Sequence, residues 1–264
     1  MVVFREVVKL KKHTFKGSVI FCAVVLVAAL LGPTVAQEVD TAPALTQACP
    51  PVQPPAKEAV KTPAKAHPRH DVKVWKSRYR GRAFQVVQLP RCEHLEAVIT
   101  HEPCGETLAR AKRRMGGVAA CTGSFHNPRS MDLADFLQRD GEIESHASTG
   151  RWFLSIMENG ELDIANNYMQ VKGRSDVNVV TLGQRLVPLH RDKFSKAFMN
   201  RVTDRMALGL SENYIYIVQG RTNIWRLAQF MEQKLQVESA INSDGGHVVR
   251  GRAPVHIVFR WRSG

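Results

Sequence analysis

Cysteine is scarce in this chain. There are five cysteines in 264 residues, and none of their spacings is that of a zinc module. No helix-turn-helix or zinc-finger pattern appears, so nucleic acid is not an expected partner. Negative charge is in deficit, with 24 acidic residues against 37 Lys and Arg and a formal net charge of +13. Such an excess suits acidic polymers, anionic lipid or phosphate-bearing glycans. Long apolar runs are also missing. The best, Ser18 to Gly32, has about fifteen residues, short of the roughly 20 that a spanning helix needs. No cysteine follows that run at lipoprotein spacing, and no twin arginine precedes it. No internal repeat is visible.

What is present at the N-terminus fits export. Arg5, Lys9, Lys11, Lys12 and Lys16 form a basic segment, the apolar run follows, and Thr34-Val35-Ala36 offers small residues for a signal peptidase. Residues 1–36 are therefore expected to be a signal peptide, with an uncleaved N-terminal anchor as the alternative. The protein is expected to be periplasmic or secreted, touching a membrane only through that segment if it stays. Residues 37–72 are rich in Pro, Ala and Lys and nearly free of large apolar side chains. They read as a disordered tether that cannot offset the entropy of ordering. Residues 73–264 are expected to form a single domain, and 44% hydrophobic residues overall suffice for a sizeable core.

Export permits a disulfide. Cys92 and Cys104 flank a predicted strand and are the preferred pair, while Cys121 falls in a predicted buried strand as a free thiol.

β-rich and short apolar runs predict strands at Ala83–Leu89, His94–Thr100, Gly117–Thr122, Asn178–Leu182 and Val255–Trp261. Trp152–Glu158 and Glu161–Ala165 flank Asn159-Gly160, which predicts a hairpin with a type I′ turn. Arg205–Leu210 and Tyr214–Val218 predict a second hairpin. A helix is expected over Thr107–Met115. Another should start at Thr222 or Asn223 and run to about Gln236, with Ile224, Leu227, Ala228, Met231 and Leu235 on one face. The expected class is α+β, a central, largely antiparallel or mixed sheet flanked by helices.

Two clusters punctuate this pattern. Residues 240–246 read Ala-Ile-Asn-Ser-Asp-Gly-Gly, a strand that ends on Asn242 and Asp244 before a glycine pair. Glycines there let the chain turn sharply and let a ligand approach the backbone. The alternative is an ordinary Asp-Gly turn, with the carboxylate bonded to its own backbone. The earlier cluster, Thr122-Gly123-Ser124-Phe125-His126, has the same design, a small-residue strand breaking into a Gly/Ser loop with an aromatic. Between them lies Arg205-Met206-Ala207-Leu208-Gly209, a strand that starts on an arginine.

In this order the three segments resemble the phosphodiester glycosidase family, over about residues 72–264. The family pattern is roughly Asn-Gly-Gly-Phe-Phe, Arg-Ser/Thr-Ala-Ile/Val-Gly and Asn-Leu-Asp-Gly-Gly-Gly-Ser. Arg205, Asn242, Asp244, Gly245 and Gly246 agree with it. Thr122, Ser124, His126, Ser243 and His247 depart from it.

The resemblance implies a hydrolase acting on a glycosyl phosphodiester or another anionic glycan linkage. A non-catalytic envelope protein that binds glycan or handles exopolysaccharide in the same pocket is the alternative. Cleaving the sugar–oxygen bond builds positive charge on the anomeric carbon and returns charge to phosphate, so a cation and a carboxylate are needed. Arg205 suits the phosphate, and Asp244 suits acid/base or oxocarbenium work. Thr122, Gly123, Ser124, Phe125, His126, Asn242, Gly245, Gly246 and His247 are the expected substrate-binding set. No cofactor and no metal are expected, and the expected partner is a carbohydrate or glycosyl phosphate.

Overall fold

Short apolar and β-branched runs broken by turn residues fill the chain from Lys73 onward, and strands follow from them. The structure, a computed structural model, describes residues 71–146, 152–190 and 194–262. The expected signal segment and all of the expected tether but its last two residues lie outside these.

The first strands are β1 (Lys73–Tyr79), β2 (Arg82–Pro90) and β3 (Leu95–Thr107). Helix α1 (Leu108–Arg114) follows, capped by the Thr107 hydroxyl, which accepts from the Arg110 amide at 3.3 Å. Then come β4 (Ala119–Thr122), β5 (Leu137–Arg139), β6 (Glu142–Ser145), β7 (Phe153–Met157), β8 (Leu162–Ala165), β9 (Val177–Thr181) and β10 (Arg185–Val187). Helix α2 (Lys196–Asn200) precedes the hairpin β11 (Thr203–Leu210) and β12 (Tyr214–Thr222). Helix α3 (Ile224–Gln233), capped by Asn223, leads to β13 (Ser239–Ser243) and β14 (Arg252–Trp261).

These strands form three antiparallel sheets. The largest runs β1-β2-β12-β11-β13-β10, the second β3-β14-β4 and the third β6-β5-β9-β7-β8. Strand accounts for 51% of the structure and helix for 15%. The expected α+β class is therefore overturned in favour of a mostly β architecture. The physical reason lies in what covers the large sheet. Its Met206, Leu208, Ile217 and Ile241 face a core shared with Ile257 and Phe259 of the second sheet and Leu154 and Val180 of the third. On that face the cover is sheet rather than helix.

Helix α3 covers the opposite face. There Phe84, Val218, Ala207 and Ala240 pack with Leu227, Phe230 and Met231 of α3. Strand alternation sorts β11 between the two cores: Met206, Leu208 and Leu210 go to the first and Ala207 to the second. Gly209 also lies on the α3 side. A Cβ there would sit 2.4 Å from Met231 Cε, so its absence lets the helix approach the sheet.

Two local expectations are corrected. In the β7–β8 hairpin only Gly160 has positive φ (87°), whereas a type I′ turn needs both central residues there. Asn159 instead accepts from the Glu161 amide at 2.9 Å, and Met157 N donates to Glu161 O at 2.8 Å, closing a longer loop. Cys92 is a free thiol, as is Cys121, while Cys104 is disulfide-bonded, so the pair is not Cys92–Cys104.

Candidate functional site

The end of β13 builds the site by alternation. Ala240 belongs to the α3-side core and Ile241 to the inter-sheet core. Asn242 therefore falls on the helix face, and Ser243 on the inter-sheet face. The register agrees, with Asn242 opposite Ala207 and Ser243 opposite Met206 on β11.

On the inter-sheet face the two clusters are sewn together. The Thr122 hydroxyl lies 2.9 Å from Ser243 Oγ and donates to the Asp244 carbonyl at 2.5 Å. The Thr122 amide points at Met206 Sδ, 3.3 Å away. Thr122 is fully buried, and its hydroxyl is committed to this knot. Ser124 is also fully buried, with a long 3.4 Å contact from its hydroxyl to the Phe125 carbonyl. Gly123 meets β14, donating to Val255 O at 3.0 Å. Asp244 N reaches Gly123 O at 3.4 Å.

On the helix face lies a row of buried polar groups across three adjacent strands. Arg205 stands on β11, two residues before Ala207, and is 3% exposed. Its Nη2 donates to the Phe198 carbonyl at 3.0 Å and the Arg201 carbonyl at 3.3 Å, and the guanidinium lies 4.5 Å from the Phe198 ring centroid. Its Nε has no partner. Burial pushes the Arg205 pKa down to about 10; the charge of Arg201 acts in the same direction, and the Asp244 carboxylate opposes it. It remains a cation at neutral pH.

Asn242, fully buried, comes next on β13, with neither Oδ1 nor Nδ2 hydrogen-bonded. Gln184, also fully buried, precedes β10. It sits two residues before Leu186, which packs in the α3-side core, and both of its amide atoms are unpartnered. The backbone ties the two residues together, with Asn242 N donating to Gln184 O at 2.8 Å and Gly183 N to Asn242 O at 2.7 Å. A Cβ on Gly183 would lie 2.9 Å from Asn242 Nδ2 and 3.1 Å from Phe125 Cε2. The amide and the ring thus flank a position where only glycine fits. Buried polar atoms are nearly always satisfied, so these open amides and the Arg205 Nε stand out within the fold.

Asp244 closes the row. Its Oδ1 accepts from the Gly245 amide at 2.8 Å, the local turn bond expected of an Asp-Gly corner. Its Oδ2 lies 3.4 Å from His126 Nδ1, a contact without hydrogen-bond geometry. Gly245 has the Asp204 carbonyl where a Cβ would stand, at 2.8 Å, and Gly246 adopts φ +68°. His247 follows, and its side chain is not among those described. The structure thus brings Thr122–His126, Arg205 and Asn242–Gly246 to one end of the large sheet.

Two contributors were missed by sequence reasoning. Gln184 follows Leu182-Gly183, the same design of strand running into glycine and a polar residue, and that signal was readable. His256, fully buried in the apolar run of β14, gave none. Its Nε2 donates to the Glu106 carbonyl at 2.9 Å, its Nδ1 is unpartnered, and burial pulls its pKa below the ordinary value.

A cleft of about 390 Å³ lies elsewhere, between β3 and the third sheet, and shares no residue with this group. Most of its charges are already paired, His101 and Arg139 with Glu144 and Arg114 with Glu106. It carries fewer orphaned groups than the row ending at Asp244.

No protein-family model matches the chain, and no curated protein sequence does. Among solved structures it is similar to the catalytic domain of zebrafish N-acetylglucosamine-1-phosphodiester alpha-N-acetylglucosaminidase, described as auto-inhibited by its pro-peptide. That likeness has 14% identity and a TM-score of 0.56, covering 75% of this chain and 86% of the other. The chain is also similar to a hypothetical protein from Synechocystis, with 12% identity and a TM-score of 0.52, over 72% of this chain and 61% of that one. At these identities the likeness is one of fold alone.

Proposed function

We propose that this chain is an exported hydrolase of the glycosidase kind that cleaves a sugar phosphodiester or another anionic glycan linkage. The observation that carries the reading is the row of buried, unpartnered polar atoms on Arg205, Asn242 and Gln184, which ends at the Asp244 carboxylate. Neutral amides beside a cation and an anion suit a ligand with hydroxyls at one end and negative charge at the other. Arg205 would face the phosphate through its unpartnered Nε. Asp244 would set a negative charge near the anomeric carbon as the bond to phosphate breaks.

A specific observation favours the second reading, glycan binding without turnover. The His126 side chain is 3% exposed and stands directly against Asp244, where a substrate would need access. Both readings are tested by incubating the purified full chain with a panel of sugar 1-phosphodiesters while measuring binding to the same panel. Release of a free sugar, lost on the order of 10²-fold or more in Asp244→Asn, supports the hydrolase. Binding retained by Asp244→Asn, with no release by the wild type, supports the binding protein.

A further inference from the structure

We propose that His126 is the general base of this site, held in its working tautomer by Asp244. The inference rests on the hydrolase reading above and adds a residue that the resemblance does not supply, since the family has an aromatic there.

The geometry runs outward from the Asp-Gly turn. The Gly245 amide fixes Asp244 Oδ1 at 2.8 Å, which orients the carboxylate and presents Oδ2 to His126 Nδ1 at 3.4 Å. The two side chains are 3% and 12% exposed, so little water screens them. An ionised carboxylate only accepts, so the ring nitrogen facing it carries the proton. Nε2 is then left with its lone pair. A long, poorly aligned contact is common in such a pair before substrate arrives.

The other charged groups around the ring agree. From β14, His256 donates Nε2–H to Glu106 O at 2.9 Å and stays neutral, so it places no second cation beside His126. From β11, Arg205 acts on Asp244 from the side of the unpartnered row.

The chemistry asks for a base more than for an acid. A phosphodiester leaving group departs as a phosphate monoester dianion and needs little proton help. The attacking water does need it. In the proposed step the water oxygen bonds to the anomeric carbon and its proton passes to His126 Nε2. The carbon–oxygen bond to phosphate breaks, and its electron pair stays on the phosphate oxygen. This single displacement inverts the anomeric centre. The proton later leaves Nε2 for solvent.

The test uses the full chain, α- and β-linked sugar 1-(methyl phosphate) diesters as probes, and two variants. His126→Asn can still offer an N–H to Asp244 and so keeps the structural contact, while His126→Gln keeps more of the ring's reach. Neither can take a proton. Both should lose about 10²-fold or more in kcat/KM. Both should also lose the acid limb, the fall in rate as the wild-type imidazole becomes protonated. The product should be the inverted anomer, and ¹⁵N spectra of the ring should show Nδ1 protonated and Nε2 bare at neutral pH. Wild-type kcat/KM and an unchanged acid limb in His126→Asn would overturn the proposal, as would a retained anomer or an Nε2–H tautomer. A wild type that cleaves no probe removes the hydrolase reading itself, and the ring tautomer still decides whether the His126–Asp244 pair exists.

Discussion

Arg205 is held by the protein before any ligand arrives. Its guanidinium binds two carbonyls of the α2 segment and lies against Phe198. Arg205→Ala should therefore cost stability as well as anion binding, about 1–3 kcal/mol for hydrogen bonds to a buried charge. Urea unfolding measures the first effect, and relative binding of anionic and neutral sugars measures the second. An Ala variant as stable as the wild type would mean that α2 does not depend on this anchor. The two free cysteines among the described residues should differ as sharply. Burial raises the Cys121 thiol well above the ordinary thiol range, whereas Cys92 is only half-buried. Only the thiolate reacts. Iodoacetamide at mild alkaline pH should label Cys92 in the native chain and spare Cys121 until urea unfolds it. Equal labelling of both would mean that β4 opens readily.

Among the elements, β4 and its following loop carry the most consequence. A Cβ on Gly123 would meet Val255 Cγ1 at 2.5 Å and the Val255 carbonyl oxygen at 2.9 Å. Backbone cannot swing aside as a side-chain tip can, so Gly123→Ala must push the strand end off β14. Overpacking of this kind costs about 1–3 kcal/mol. The loop carrying Phe125 and His126 should move with it, so ligand binding should weaken along with the thermal midpoint. A stable variant with wild-type binding would show that this contact does not position the loop. Helix α3 offers a milder comparison. Asn223 accepts from the Arg226 amide at 2.9 Å, and Asn223→Ala should cost about 1 kcal/mol.

At the scale of the whole molecule, three sheets share one core, and a fully buried histidine, His256, sits on β14 of the second. Burial lowers the His256 pKa below its ordinary value of 6.5, while its bond to the Glu106 carbonyl and the Glu106 carboxylate oppose the shift. The sign follows from proton counting. Above about pH 6.5 both folded and unfolded chains carry a neutral imidazole there, and no pH dependence arises. Below it the unfolded chain takes up a proton that the folded chain refuses, so stability falls as pH falls. Urea unfolding from pH 7.5 down to pH 5 should show that decline, and His256→Gln should flatten it. An identical slope in the variant would place the acid sensitivity elsewhere.

Local rules were legible along the chain. The strands β11 and β14, the Asn223 cap, the β7–β8 and β11–β12 hairpins and the glycine-broken strand ends at 122–126 and 242–246 are each written within a window of about ten residues. Side-chain period and turn chemistry act at that range. The short strands β5, β6 and β10 were not legible, because three or four residues do not establish a period. Nor was the fold class, since no window says whether an apolar sheet face will meet a helix or another sheet. Tertiary structure decided that, and it decided which side chains are free. The Thr122 hydroxyl is tied to Ser243 and Asp244, while Gln184 and Asn242 are left buried with open amides. Sequence names the groups able to hydrogen-bond, but whether a group is satisfied depends on what distant segments bring within about 3 Å of it.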